Sequence, residues 1–79
     1  MKEFRVLLTS IDHVKDFVTA ASMCSCDIDV TSGRYTVDAK SIMGLFSLDL
    51  SKPISIRVLG TEGEAAEFYH AVENVVYNG

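Results

Sequence analysis

The sequence predicts a two-layer α+β fold, with helices packed on one face of an antiparallel sheet. Three observations carry this. Four segments alternate apolar and polar residues with the period of a strand, and two longer segments repeat apolar residues at helical spacing. All four strand-like segments are amphipathic, so one sheet face must be covered while the other can face water. The strand-like and helix-like segments are also interleaved, in the order β-α-β-β-α-β-α, with no linker, repeat or low-complexity stretch between them.

Taken in order, Glu3 to Leu8 reads as a strand with Phe4, Val6 and Leu8 on one face and Arg5 on the other. Thr9 to Asp12 is polar, and Val14, Phe17, Val18 and Ala21 then recur at helical spacing, predicting an amphipathic helix from about Asp12 to Met23. Ser10 and Asp12 are both suitable N-caps. Asp27 to Thr31 alternates with Ile28 and Val30 inward, Ser32-Gly33 signals a turn, and Arg34 to Ala39 alternates again through Tyr35, Val37 and Ala39. Two short alternating runs around such a turn predict a hairpin. A short helix follows from Ser41 to about Leu48, and Pro53 closes the connection. Ile54, Ile56 and Val58 make the fourth strand, Gly60 to Gly63 a turn, and a last helix runs from about Glu64 to Val76. Ala65, Phe68, Val72 and Val75 form its apolar stripe, and Glu67, His70 and Asn74 its wet face.

The chain has 79 residues and is expected to form one domain over residues 1–79, near the lower size limit for a self-supporting core. Its hydrophobic content of 48% argues against disorder. A net charge of −4 without any basic run disfavours nucleic acid and anionic membranes as partners. The apolar stretches fall far short of the roughly 20 residues a membrane span needs. Met1-Lys-Glu-Phe-Arg leads straight into strand-like residues, with no signal-peptide pattern, so the expected location is the cytoplasm.

Cys24 and Cys26 are the only cysteines. Neighbours this close close no useful loop, and in the cytosol they are expected as free thiols. A redox pair or half of a metal site are the functional alternatives. A metal would need further ligands from His13 and His70, which are not at paired spacing, so no metal or other cofactor is expected. No Gly-rich phosphate loop, Ser/His/Asp arrangement or catalytic carboxylate pair is present, and the chain is not expected to be an enzyme.

The stretch from Ser41 to Leu50, Ser-Ile-Met-Gly-Leu-Phe-Ser-Leu-Asp-Leu, is chemically the most distinctive. A serine is placed to cap a short helix, beside more large apolar residues than so short a segment can bury. Lys40-Ser41-Ile42-Met43-Gly44 followed by Ser47-Leu48 resembles the regulatory-serine block of HPr, the histidine-containing phosphocarrier of the bacterial phosphotransferase sugar-uptake system. The resemblance runs without a gap from Phe17 to about Val76, through Thr36-Val37 and Ala71-Val72-Glu73. It implies an HPr-like open-faced sandwich with strand order 1-4-2-3. It further implies that Ser41 corresponds to the residue phosphorylated by an ATP-dependent kinase in many Gram-positive relatives, and that Ile42, Met43 and Phe46 match the apolar patch through which HPr meets its partners.

The N-terminal part departs from the family. HPr carries phosphate on a histidine in a Gly-Ile-His-Ala-Arg-Pro loop before the first helix. Here the junction reads Leu8-Thr9-Ser10-Ile11-Asp12-His13-Val14 and is shorter. Continuing the ungapped register puts Ser10 at the histidine position and Asp12 at the arginine position. A carboxylate in place of the cation would repel a phosphoryl group. His13 falls inside the first helical turn, and is either a displaced phosphate acceptor or an exposed histidine without that role.

The expectation is an HPr-family regulatory or adaptor protein acting through Ser41 and the patch Ile42, Met43 and Phe46, not a histidine phosphocarrier. By resemblance its partners are the HPr kinase/phosphorylase and a catabolite-control transcription factor. One alternative is a divergent phosphocarrier that takes phosphate from enzyme I on His13. The other is an unrelated small βαβ-type ligand-binding module, which would need a pocket at a sheet or dimer edge.

Overall fold

The computed structural model describes residues 2–79; Met1, with which the expected leaderless start begins, lies outside the described residues. The elements are β1 (Glu3–Val6), α1 (Ile11–Met23), β2 (Asp27–Ser32), β3 (Tyr35–Asp38), α2 (Ile42–Phe46), β4 (Ile54–Leu59) and α3 (Glu62–Ala71), followed by a 3₁₀ turn at Glu73–Val75. The strands form one antiparallel sheet in the order β1-β4-β2-β3, as expected.

The alternation in the sequence becomes two unlike sheet faces. Phe4, Val6, Ile28, Val30, Ile54, Ile56 and Val58 are buried, and they meet Val14, Phe17 and Ala21 of α1, Leu45 of α2 and Ala65 and Phe68 of α3 in one core. The other face is polar. Glu3 stands opposite Arg57, which in turn stands opposite Asp29, so the central cation is flanked by carboxylates across the register. Leu8 lies beyond the end of β1 yet is buried with the rest.

The short helix ends at Phe46, before the expected Leu48, and the hairpin strands each differ by a residue at their ends; four further boundaries differ from the sequence reading, each for a local reason. β1 stops at Val6 because Leu7 N–H turns to the carbonyl of Val75, 2.9 Å away. The hairpin turn sits at Gly33-Arg34, one residue later than expected, and Ser32 pairs with Tyr35. Gly33 has φ of +59°, which a glycine adopts without steric cost in a two-residue hairpin loop. Tyr35 itself is exposed, since the edge of the sheet at the hairpin end reaches past the helices that cover the centre.

The last helix starts two residues earlier, at Glu62, and Gly63 lies within it rather than in a turn. Thr61 is its cap. Thr61 Oγ1 accepts from Glu64 N–H at 3.1 Å, and Glu64 Oε1 accepts from Thr61 N–H at 2.9 Å, a reciprocal capping box. The helix also ends earlier than expected, at Ala71, in a run rich in β-branched valines. The chain then returns to the sheet: Val76 bridges Val6, and Tyr77 N–H donates to Arg5 O at 2.8 Å. The C-terminal segment thereby shields the outer edge of β1, a position that would otherwise present unpaired backbone groups.

The capping box makes a pH prediction. Hydrogen bonds from Thr61 N–H and then from the Ser25 hydroxyl hold the Glu64 carboxyl below its ordinary value of 4.5. A carboxylate whose folded pKa is depressed stabilises fully above its unfolded value, and that contribution is lost as pH falls through the folded one. Glu64→Gln is expected to flatten the acid limb of the stability profile below about pH 4.5. Thermal melts at stepped pH check this, and an acid limb as steep as that of the parent chain would contradict it.

Candidate functional site

Two helix starts define the site. The first is that of α1. Ser10 is its N-cap, in extended backbone with φ −149° and ψ 162°, and its Oγ accepts from His13 N–H at 3.1 Å. Asp12 sits in the first turn, where the helix dipole favours a carboxylate. At the α1 N-terminus one first-turn amide, that of His13, is thus taken by Ser10, and the negative charge the dipole favours is already supplied by Asp12. An incoming phosphoryl group would have to displace the first and face the second.

His13 is half-buried, and its Nδ1 lies 3.1 Å from Thr9 Oγ1, in hydrogen-bond contact. Its side chain lines a small crevice with Asp16, Phe17, Ala71, Val72, Asn74 and Val75, on the side of α1 that faces the C-terminal end of α3. Ile11 points elsewhere, since two residues along a helix are about 200° apart. Ile11 and Ser10 line a shallow groove of about 510 Å³, together with Thr9, Val14, Phe46 and Leu50. His13 and the apolar patch of α2 therefore lie on different sides of α1.

The second helix start is that of α2. Ser41 is its N-cap and is exposed; its Oγ accepts from Gly44 N–H at 3.1 Å. Gly44 fits a tight place, because a Cβ there would stand 3.2 Å from both Ser41 Oγ and Val37 Cβ, close against β3. Ser47 Oγ donates to Gly44 O at 2.6 Å and ends the helix. Within this turn and just after it the side chains divide cleanly. Leu45 is fully buried and Leu48 nearly so, whereas Met43 is 78% exposed and Phe46 46% exposed. Ile42 is half-buried against the core.

Of the residues singled out in sequence, Ser41, Met43 and Phe46 thus share α2, with Ile42 at its inner edge. Ser10 stands across the groove from Phe46. Sequence reasoning missed Ile11, which is 62% exposed and extends the apolar surface from α2 to α1. A large apolar residue directly after a capping serine was the available signal. His70 lies on the exposed face of α3, with Nδ1 3.5 Å from Glu73 Oε1. No helix among the described residues is long and apolar enough to cross a membrane.

A 1-4-2-3 antiparallel sheet under three helices has the architecture of the small histidine-containing phosphocarrier proteins. The sequence matches the family model described as "PTS HPr component phosphorylation site" over residues 13–78, and the chain belongs to the HPr family of the phosphotransferase system. The matched segment begins at His13, so Ser10 and the junction before it lie outside it.

Solved structures agree. HPr-C-His from Thermoanaerobacter tengcongensis superposes with a TM-score of 0.75 at 28% identity, covering 94% of this chain and 93% of that one. The phosphocarrier protein HPr from Bacillus anthracis str. Ames superposes with a TM-score of 0.73 at 28% identity, covering 95% of each. The histidine-containing phosphocarrier protein of a mycoplasma shares the fold, with a TM-score of 0.73 at 19% identity over 91% of this chain and 88% of that one. No curated protein matches the chain in sequence.

Proposed function

We propose that this HPr-family protein is a cytoplasmic regulator or adaptor that works through Ser41 and the surface formed by Ile42, Met43 and Phe46, rather than by carrying phosphate on histidine. One observation carries the reading. The exposed Ser41 hydroxyl opens a helix whose next turn presents Met43 and Phe46 to solvent, while the α1 start, where the family places its histidine, carries Ser10 and the carboxylate of Asp12 instead. A phosphoryl group on Ser41 would add about −1.5 to −2 charges beside that apolar surface and change which proteins dock there. Met and Phe suit adaptable docking. The partners that fit are the HPr kinase/phosphorylase, which would transfer the γ-phosphoryl of ATP to Ser41 Oγ, and a catabolite-control transcription factor that reads the product. The protein needs no catalytic activity of its own for this role.

The separation of His13 from the α2 surface supports the same reading. A divergent carrier using His13 would receive its phosphoryl group from enzyme I on the α3 side of α1, next to Asp16. Intact mass after two parallel incubations tests the choice. With HPr kinase and ATP, the expected product carries one acid-stable phosphate, and Ser41→Ala carries none. With enzyme I and phosphoenolpyruvate, the mass is expected to stay unchanged. An acid-labile phosphate from enzyme I that disappears in His13→Ala would overturn the proposal. A chain that gains no phosphate from the kinase would remove Ser41 from it.

A further inference from the structure

The far end of α1, about 20 Å along its axis from Ser10, carries a feature the docking surface does not use. Cys24 is the C-cap of α1, its backbone N–H bonded to Ala21 O, and Cys26 stands immediately before β2. Their sulfurs are in contact, with Cys24 Sγ 2.9 Å from Cys26 Sγ. The two side chains are half-buried, and each opens onto a surface depression. Cys24 lines the groove between α1 and α3, beside Met23, Ala20 and Phe68. Cys26 lines a neighbouring depression beside Arg57, Gly60 and Thr61.

The surroundings hold the two sulfurs together. Ser25, between them, is drawn away by its hydroxyl, which donates to Glu64 Oε2 at 2.8 Å. Glu64 is itself fixed by the capping box at the start of α3. Gly60 leaves the room Cys26 needs, because a Cβ at that position would come within 2.8 Å of Cys26 Cβ and Sγ. Two ordered elements and a tethered middle residue therefore present a paired dithiol to solvent. Among the described residues no group of three or more His, Cys, Asp or Glu is placed to hold a metal ion. The arrangement suits exchange chemistry between two thiols.

We propose that Cys24 and Cys26 are a reversible dithiol–disulfide pair that exchanges with low-molecular-weight disulfides, Cys24 acting as the attacking sulfur and Cys26 as the resolving one. In the first step the Cys24 thiolate attacks one sulfur of RS–SR. A Cys24–S–S–R bond forms, the RS–SR bond breaks, and RS⁻ leaves. In the second step Cys26 gives up its proton and attacks Cys24 Sγ. The intramolecular disulfide forms and a second RS⁻ leaves. Two thiols are oxidised by two electrons, one external disulfide is reduced to two thiols, and the protons released by the cysteines end on those thiols.

The order of attack follows first from placement: Cys26 is packed over Gly60, whereas Cys24 opens onto the groove between α1 and α3. Burial, then the hydrogen bond and charge of Cys24, then the charge of Glu64 push the Cys26 thiol up to about 11. Cys26 is therefore almost wholly protonated at neutral pH, and only a thiolate attacks. Once Cys24 is held in a mixed disulfide it no longer bears charge, so its share of the barrier to ionising Cys26 disappears as Cys26 is needed.

The test uses the reduced chain and oxidised glutathione at neutral pH, with acid quenching and intact mass. The parent chain is expected to end two hydrogens lighter, with the disulfide inside the peptide that spans Cys24 to Cys26. Cys26→Ser is expected to stop with one glutathione on Cys24. Cys24→Ser is expected to react at Cys26 several-fold more slowly, because burial and the charge of Glu64 still disfavour that thiolate when the share owed to Cys24 is gone. A parent chain that ends as stable glutathione adducts, as disulfide-linked dimers or at unchanged mass overturns the proposal, whatever the variants do. A Cys24→Ser chain that reacts as fast as Cys26→Ser overturns the assigned order.

Discussion

Phe17→Ala is expected to remove a large share of this domain's stability. Phe17 is fully buried at the centre of α1 and meets Phe68 of α3 edge to face, with ring centroids 5.5 Å apart. Phe68 lies 6.2 Å from Phe4 of β1, so one aromatic run joins both long helices to the sheet. Truncating such a phenylalanine removes about 3–5 kcal/mol, from lost burial and from the cavity left behind. At about 0.05–0.15 kcal/mol per residue, a domain of this length has only about 4–12 kcal/mol to lose. Urea denaturation followed by far-ultraviolet circular dichroism checks the outcome. A loss below about 1.5 kcal/mol would mean that the three rings do not form the keystone of the core.

The second large effect separates the two faces of α2. Leu45→Ala is expected to cost about 2–5 kcal/mol, because Leu45 is fully enclosed beneath the helix. Met43→Ala, two residues away on the exposed side, is expected to change stability by no more than about 0.5 kcal/mol. A five-residue helix has no stability of its own, so what keeps it folded is its anchor in the core. Losing Leu45 therefore releases the Ser41 cap and the turn it holds. In the kinase assay Leu45→Ala should lower the rate of Ser41 phosphorylation in step with unfolding. Met43→Ala should leave the fold intact and weaken only the docking proposed for that surface. Equal losses of stability in the two variants would refute this division.

Much of this arrangement was legible in the sequence. The apolar stripes of α1 and α3 and the alternation of all four strands named nearly every buried residue, because burial obeys the period of each element. Ser41 could be read as a cap from its place before an apolar run. Thr61-Glu62-Gly63-Glu64 is a capping-box pattern, yet the glycines at 60 and 63 favoured a turn there. Gly63 is accommodated within the first turn of α3, where the reciprocal bonds of Thr61 and Glu64 outweigh its poor helix propensity. Tyr35 alternates correctly with Val37, but alternation does not say how far the covering helices reach, and the hairpin end extends beyond them.

By itself the sequence determined the order of the elements, the residues that face the core, the shortened junction before α1 and the serine that opens α2. Each follows from periodicity or from neighbours within a few positions. The tertiary structure decided which side of α1 His13 occupies, that Ile11 joins Phe46 and Leu50 around one groove, and that Val76 returns to close the edge of β1. It also decided that Cys24 and Cys26 meet over Gly60 while Ser25 is held by Glu64. The physical reason is the same in each case. A repeat specifies directions around one helix or strand, whereas the angle and register between elements come from packing their side chains against one another, which no single segment contains.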